Sequence, residues 1–110
     1  MEALRENIDC FLALEGLGEL VVVDDCSIDE TSSFLMSLDD ARLIVVRHPE
    51  NRGSPTARAT GVAASNCAWI LMLEDDCRVP TDYAVVLMDV ARTYRADVVG
   101  APWVLSLIHI

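Results

Sequence analysis

The amino-acid sequence predicts an α/β fold, with a mostly parallel sheet that helices cover on both faces. Short, continuous apolar runs alternate along the chain with segments whose apolar residues recur at helical spacing. The runs lack the alternation of half-buried strands, and strands buried on both faces occur almost only in parallel sheets. At 110 residues, the chain is one domain or part of one.

The first half of the chain contains two predicted strands, each preceded by a predicted helix. Apolar residues at helical spacing predict an opening helix over 4–12. The run at 20–23, Leu-Val-Val-Val, is mostly β-branched and ends in charge, which predicts a buried strand. Asp29 offers an N-cap to a helix over 31–38. The run at 43–46, Leu-Ile-Val-Val, then predicts a second strand.

The second half repeats this alternation. Small residues over 54–64, with a serine and a proline at the start, predict a helix that packs closely on a sheet. The apolar run at 68–73 predicts a third strand. Pro80 suits the first turn of a helix whose apolar stripe reaches residue 94. Residues 97–99 would begin a fourth strand.

The charge balance excludes several function classes. The 18 acidic residues outnumber the 8 basic ones and give a net charge of −10. Such a chain is unsuited to the phosphate backbone of nucleic acids and to anionic membrane surfaces. Since every basic residue is arginine, chemistry that needs a lysine amine is also excluded.

The sequence carries no targeting or zinc-binding pattern. The four cysteines form no CxxC pair, and the beginning of the chain is acidic where a secretory signal would be basic. The longest low-charge stretch, 98–110, is too short to span a bilayer as a helix. We therefore predict no membrane segment in this chain and a cytoplasmic location, with the cytoplasmic face of a membrane as the alternative for a longer parent protein.

Acidic residues cluster after two of the predicted strands. Asp24 and Asp25 follow the first strand, and Glu74, Asp75 and Asp76 follow the third. The carboxyl ends of parallel strands share one sheet edge, where α/β proteins bind ligands. Adjacent carboxylates repel one another unless a cation compensates. Because Mg²⁺ and Mn²⁺ take oxygen ligands and bridge carboxylates to phosphates, the pattern predicts a metal–phosphate site.

Three segments resemble family 2 glycosyltransferases of the GT-A fold. Residues 21–31, Val-Val-Val-Asp-Asp-Cys-Ser-Ile-Asp-Glu-Thr, are similar to that family's V-V-D-D-G-S-x-D-x-T segment. Residues 48–61 resemble its N-x-G-x-x-x-A-R-N-x-G segment, and residues 69–80 resemble its hydrophobic strand, D-x-D motif and following proline. The order and spacing of the three motifs make the resemblance specific, and it implies a Rossmann-like nucleotide-binding half.

The resemblance implies roles for eight residues. The Asp24–Asp25 pair would hold the nucleotide base, because a carboxylate can accept the N3–H of uracil, which cytosine lacks. Asp76 would meet Mn²⁺ or Mg²⁺ on the donor's diphosphate, where the metal acts as a Lewis acid. Arg58 would contact the nucleotide or brace the acidic strand end. The candidate substrate-binding residues are Asp24, Asp25, Asn51, Gly53, Arg58, Glu74 and Asp75, and the candidate metal ligand is Asp76.

The implied reaction is metal-dependent transfer of a sugar from a nucleotide-diphosphate donor, UDP-linked, to a hydroxyl acceptor with inversion. The family's general base lies in a C-terminal half, and its first strand precedes the opening helix; neither has a counterpart in this chain. We therefore predict a partial donor-binding domain over 1–103 and a truncated or non-native tail over 104–110. No catalytic residue and no turnover are expected of this chain alone.

Three positions depart from the family pattern. Cys26 replaces the usual glycine after the aspartate pair, so that turn must tolerate a Cβ. Glu74 replaces an aspartate, which adds one methylene, and Ala59 replaces an asparagine. Structural interpretations are favoured for two further side chains. His48, which precedes a proline, is predicted to be a solvated loop residue, and Trp69 is predicted to lie in the core.

Two other classes remain as alternatives. A magnesium-binding phosphoacceptor domain of receiver type would also place acids such as Asp25 and Asp75 after strands. It resembles a family that relies on a late-strand lysine, which this chain lacks, and it leaves 51–61 unexplained. A non-catalytic interaction module would account for the acidic surface and the apolar C-terminal run.

Overall fold

A computed structural model describes residues 2–74 and 76–100 and confirms the α/β class, with helices around a small parallel sheet. The elements are α1 (Glu2–Leu12), β1 (Leu20–Asp24), α2 (Thr31–Ser37), β2 (Leu43–Arg47), α3 (Ser54–Ala64) and α4 (Tyr83–Tyr94). All four predicted helices and the first two predicted strands are present. No helix in the described part of the chain combines the length and hydropathy needed to cross a bilayer.

The two strands run parallel and in register from end to end. Leu20 lies opposite Leu43, and Asp24 lies opposite Arg47. The strands therefore end level with each other. Since chain direction is the same in both, the segments that follow β1 and β2 emerge side by side at one edge of the sheet.

Helices cover both faces of β1, as the buried strand pattern predicts. Leu20 and Val22 pack against a cluster of core side chains from α1 and α2. Val23 points to the opposite face, because side chains alternate along a strand, and meets α3 there. A Cβ on Gly61 would lie 3.4 Å from a Val23 methyl, so glycine lets this helix approach closely, as predicted. The buried cluster consists of Leu4, Ile8, Phe11 and Leu35.

The predicted third strand is not formed. Residues 68–73 are irregular, and no backbone hydrogen bond joins them to another part of the described chain. A strand requires a neighbour that completes its hydrogen bonds, and β1 pairs only with β2 within the described residues. Trp69 is 44% exposed, so its predicted place in the core is also wrong.

Three further sequence expectations concern the fourth strand, the C-terminal tail and the start of α2. The fourth strand predicted to begin at 97–99 is not formed in those residues, which are irregular. The tail predicted over 104–110 lies outside the described residues. Helix α2 has Glu30, not Asp29, at its N-cap position. Asp29 still serves the helix start, because its Oδ1 accepts the backbone N–H of Thr31 at 3.0 Å.

Candidate functional site

Asp24, the last residue of β1, is buried in a closed turn. Its side chain is 2% exposed, and its Oδ2 accepts a hydrogen bond from Arg47 Nη1 at 2.7 Å. Its Oδ1 accepts the backbone N–H of Ser27 at 2.9 Å. The second arm of the Arg47 guanidinium donates to the Ser27 carbonyl at 3.0 Å. The two arms therefore fasten the turn over 24–27 to the end of β2.

Cys26 lies in the middle of this turn with a φ of 60°. This is the left-handed region, which glycine enters freely and other residues enter at a cost. The expectation that the turn must tolerate a Cβ is confirmed. The thiol is directed at the carbonyl of Pro49, with Sγ 3.5 Å from the oxygen.

Asp25 connects the end of β1 to the turn before α3. Its Oδ1 accepts from His48 Nδ1 at 2.7 Å and from the backbone N–H of Arg52 at 2.9 Å. Its Oδ2 accepts the backbone N–H of Gly53 at 2.9 Å. The His48 bond foremost, then the Arg52 N–H, holds the pKa of this carboxyl below its usual value.

Asn51 and Gly53 shape the turn that faces Asp25. Gly53 has a φ of 88°, a backbone conformation that glycine adopts without strain. Asn51 Oδ1 accepts the same Gly53 N–H at 3.1 Å. Gly53 therefore contacts Asp25 through its backbone N–H, which the side chain of Asn51 also accepts, and the structure brings these two predicted site residues together with Asp25.

His48 is a residue that the sequence interpretation misjudged. It is 5% exposed, so its assignment as a solvated loop residue is wrong. Its Nδ1 meets Asp25, and its Nε2 lies 2.8 Å from the hydroxyl oxygen of Thr60 on α3. One signal could have identified it: His48 follows β2 directly, just as Asp25 follows β1, so parallel strands must place the two side by side.

The second acidic cluster is only partly engaged. Arg58, on α3, donates to Glu74 Oε1 at 2.7 Å, and both side chains are about half exposed. Of the two roles predicted for Arg58, the structure shows the bracing of the acidic segment. Asp76 is exposed and makes no ion pair or hydrogen bond within the described residues. Asp75 lies outside them.

Both clusters border the same space. A groove of about 2470 Å³ is lined by Asp24, Asp25, Arg58, Glu74 and Asp76, and otherwise mainly by apolar residues. It is several times larger than a usual small-ligand pocket. The segment at 68–73 lines it as well, so its exposed apolar side chains form part of the wall.

The groove offers oxygen donors without a complete metal centre. Within residues 2–74 and 76–100, no three His, Cys, Asp or Glu side chains converge as they would around a metal ion. Mg²⁺, however, commonly takes only one or two carboxylates and completes its shell with phosphate and water. The exposed carboxylate of Asp76 has the chemistry for such a site.

A parallel α/β fold with polar groups beyond the carboxyl ends of its strands is typical of nucleotide-binding proteins. The chain matches the model of glycosyl transferase family 2 over residues 2–107. This range is nearly the whole chain, and the chain belongs to that family. Membership contradicts the phosphoacceptor alternative.

Similar proteins agree with this family. The succinoglycan biosynthesis protein ExoO of Rhizobium meliloti (strain 1021) is 37% identical over 101 residues, which are 91% of this chain and 28% of that protein. ExoU of the same strain, also named for succinoglycan biosynthesis, is 42% identical over 77 residues, 68% of this chain and 22% of its own length. An uncharacterized glycosyltransferase of Haemophilus influenzae is 28% identical over 90 residues, 76% of this chain and 28% of its own length. The chain thus spans less than a third of these relatives. No solved structure matches it significantly.

Proposed function

We propose that this chain forms the donor-binding half of a glycosyltransferase that transfers a sugar from a UDP-linked donor to a hydroxyl acceptor. The observation that carries the proposal is the lining of the groove beside β1. In a chain of this family, carboxylates from two separate segments and Arg58 line one space. Sugar transfer with inversion and dependence on a divalent cation belong to the same proposal.

The base of the donor is assigned to the Asp24–Asp25 end of the groove. An ionised carboxylate has about four acceptor positions, and three donors already occupy Asp25. The remaining position is on Oδ2, whose one donor among the described residues is the Gly53 N–H. An acceptor there suits the N3–H of uracil and disfavours cytosine, whose N3 has no proton. Asn51 and Gly53 contribute by fixing the turn that supplies two of the donors.

The diphosphate of the donor is assigned to the Glu74–Asp76 end. Asp76 would hold the Mg²⁺ or Mn²⁺ ion, and Asp75 and Glu74 would contact the donor beside it. When bound, the cation would neutralise the diphosphate and stabilise it as the leaving group. Arg58 keeps the Glu74 carboxylate on the α3 side of the groove, 2.7 Å from its own guanidinium. Asp76, which is exposed and has no ion pair or hydrogen bond among the described residues, then offers an accessible carboxylate.

We assign the binding of the acceptor, and the catalytic base, to residues outside this chain. Two relatives are named for succinoglycan biosynthesis, which supports a hydroxyl of a growing glycan as the acceptor. The chain covers less than a third of their length. We therefore take 1–103 as a donor-binding unit that does not turn over by itself, and assign the enzyme's work to the cytoplasm or the cytoplasmic face of a membrane.

Thermal unfolding of the purified chain tests donor binding. A ligand that binds only the folded state at a hundred times its Kd stabilises it by about 2.7 kcal/mol. For a domain of this size, that raises the Tm by on the order of 10 °C. We expect the rise with UDP and Mn²⁺ together, a smaller one with CDP and Mn²⁺ or ADP and Mn²⁺, and none with Mn²⁺ alone.

Matched acid-to-amide variants localise the effect. Asp25→Asn and Asp76→Asn should each abolish the shift caused by UDP and Mn²⁺. Asp89→Asn, on an exposed part of α4, is the control and should retain it. Cooperative unfolding with a Tm that does not change on addition of UDP and Mn²⁺ would contradict donor binding by this chain.

A further inference from the structure

Asp25, His48 and Thr60 form a continuous chain of hydrogen bonds across three elements. Asp25 follows β1, His48 follows β2, and Thr60 lies within α3. The imidazole bridges the other two side chains, at 2.7 Å to the Asp25 carboxylate and 2.8 Å to the Thr60 hydroxyl. The His48 side chain is 6% exposed, so water does not replace these partners readily.

Hydrogen-bond chemistry fixes the Nδ1 side of this ring. An ionised carboxylate only accepts, so Nδ1 must carry a proton and donate it to Asp25. At the other nitrogen, the Thr60 hydroxyl has a single proton, and its oxygen also lies 3.0 Å from the Thr56 carbonyl. The hydroxyl donates either to that carbonyl or to Nε2. In the first case its oxygen can accept a hydrogen bond from a protonated Nε2, and in either case the bond to Thr60 restrains rotation of the imidazole.

His48 is the side-chain donor to Asp25 in the described structure; the other two donors are backbone N–H groups of Arg52 and Gly53. The terminal torsion of an aspartate is broad and roughly two-fold. Without the imidazole, Oδ1 would lose one of its two partners, and the carboxylate could rotate or exchange its oxygens. The acceptor position left on Oδ2 would then no longer have a fixed place.

We infer that His48 is a positioning residue for base recognition, with Thr60 as the support that orients its ring. The inference rests on the proposed donor-binding function. His48 does not touch the base; it fixes Asp25, and Asp25 reads the uracil N3–H. Discrimination between UDP and CDP should therefore depend on Thr60, which lies six positions beyond the start of α3 and acts on the carboxylate through the ring of His48.

The test compares Thr60→Val with Thr60→Ser in the full chain. Valine keeps the shape of threonine without the hydroxyl, and serine keeps the hydroxyl. Calorimetric titration with UDP and with CDP, each with Mg²⁺, measures affinity, and the Tm of each variant measures folding. We expect Thr60→Val to lose about tenfold in UDP affinity, the size of one hydrogen bond to a charged group, and to lose UDP-over-CDP preference. Thr60→Ser should restore both, and His48→Gln should lose at least as much as Thr60→Val.

Imidazole ¹⁵N shifts of His48 separate this inference from the proposed function. We expect a protonated Nδ1 in the unsubstituted chain and a changed Nε2 shift in Thr60→Val. If the unsubstituted chain binds UDP but Thr60→Val and His48→Gln retain its affinity and base preference, the positioning role is overturned. If the ¹⁵N shifts show His48 bonded to both Asp25 and Thr60 but the chain does not bind UDP, the donor-binding proposal has failed. The role of His48 in base recognition then fails with it.

Discussion

The turn at Cys26 allows the free-energy cost of a left-handed backbone conformation at a non-glycine residue to be measured. Replacing a non-glycine residue in the left-handed region by glycine relieves about 1–2 kcal/mol. Glycine also raises the conformational entropy of the unfolded chain, which offsets this gain by about 0.5–1 kcal/mol. The lost thiol contact with Pro49, at 3.5 Å, is weak. We therefore expect Cys26→Gly to raise the free energy of unfolding by about 0.5–1 kcal/mol, which is a Tm increase of roughly 3–6 °C.

Urea denaturation with two companion variants checks the reasoning. Cys26→Ala removes the thiol but keeps the Cβ, so its midpoint should stay close to that of the original chain. Arg95→Gly tests the same principle elsewhere, because Arg95 has a φ of 52° at the C-cap of α4, where glycine is favoured. If Cys26→Gly proved no more stable than Cys26→Ala, the strain argument would be refuted.

Three further predictions concern stability and surface chemistry. Arg47→Met removes the cation that pairs with the buried carboxylate of Asp24, and should lower the free energy of unfolding, measured by urea denaturation, by about 2–3 kcal/mol. The double variant with Asp24→Asn should lose less than the sum of the losses of the two single variants. Hydrogen bonds from Arg42 lower the pKa of Asp40 to about 2. The stability that Asp40 contributes is therefore fully present above about pH 4 and is lost as the pH falls towards 2. In Asp40→Asn, the urea midpoint should depend less steeply on pH over that range. An unchanged dependence of the midpoint on pH would contradict the linkage. The exposed apolar segment at 69–72 should bind the dye ANS, and lysine within it should reduce the fluorescence; equal dye binding would place the apolar surface elsewhere.

Local pattern was sufficient for most of the fold. The continuous β-branched run of β1 and the small-residue pattern of α3 each determine one element, because burial on both faces and close packing leave few other solutions. The same reasoning failed at 68–73, where the composition is equally apolar. A helix closes its own hydrogen bonds, but a strand depends on a neighbour, and composition does not reveal whether that neighbour is present.

The candidate site, like the fold, could be predicted from the sequence only in part. Asp25 and Gly53 could be picked from motif and turn chemistry, and the structure places them in contact. His48 could not be picked from residue type, because a histidine before a proline has no characteristic pattern. Its role comes from the register of two strands and a helix contact 12 positions away, which are tertiary facts.

The register of β1 against β2 also bears on the order in which the chain folds. Asp24 and Arg47 are only 23 positions apart, so closing this loop has a small entropic cost. The hydrogen bond from the Cys10 thiol to the Val79 carbonyl joins groups 69 positions apart, which is a slower and more expensive closure. The β1–α2–β2 unit is therefore suited to act as the folding nucleus, with the segment before α4 docking late. Mutations in the turn that Arg47 fastens should slow folding, whereas those near Val79 should mainly accelerate unfolding.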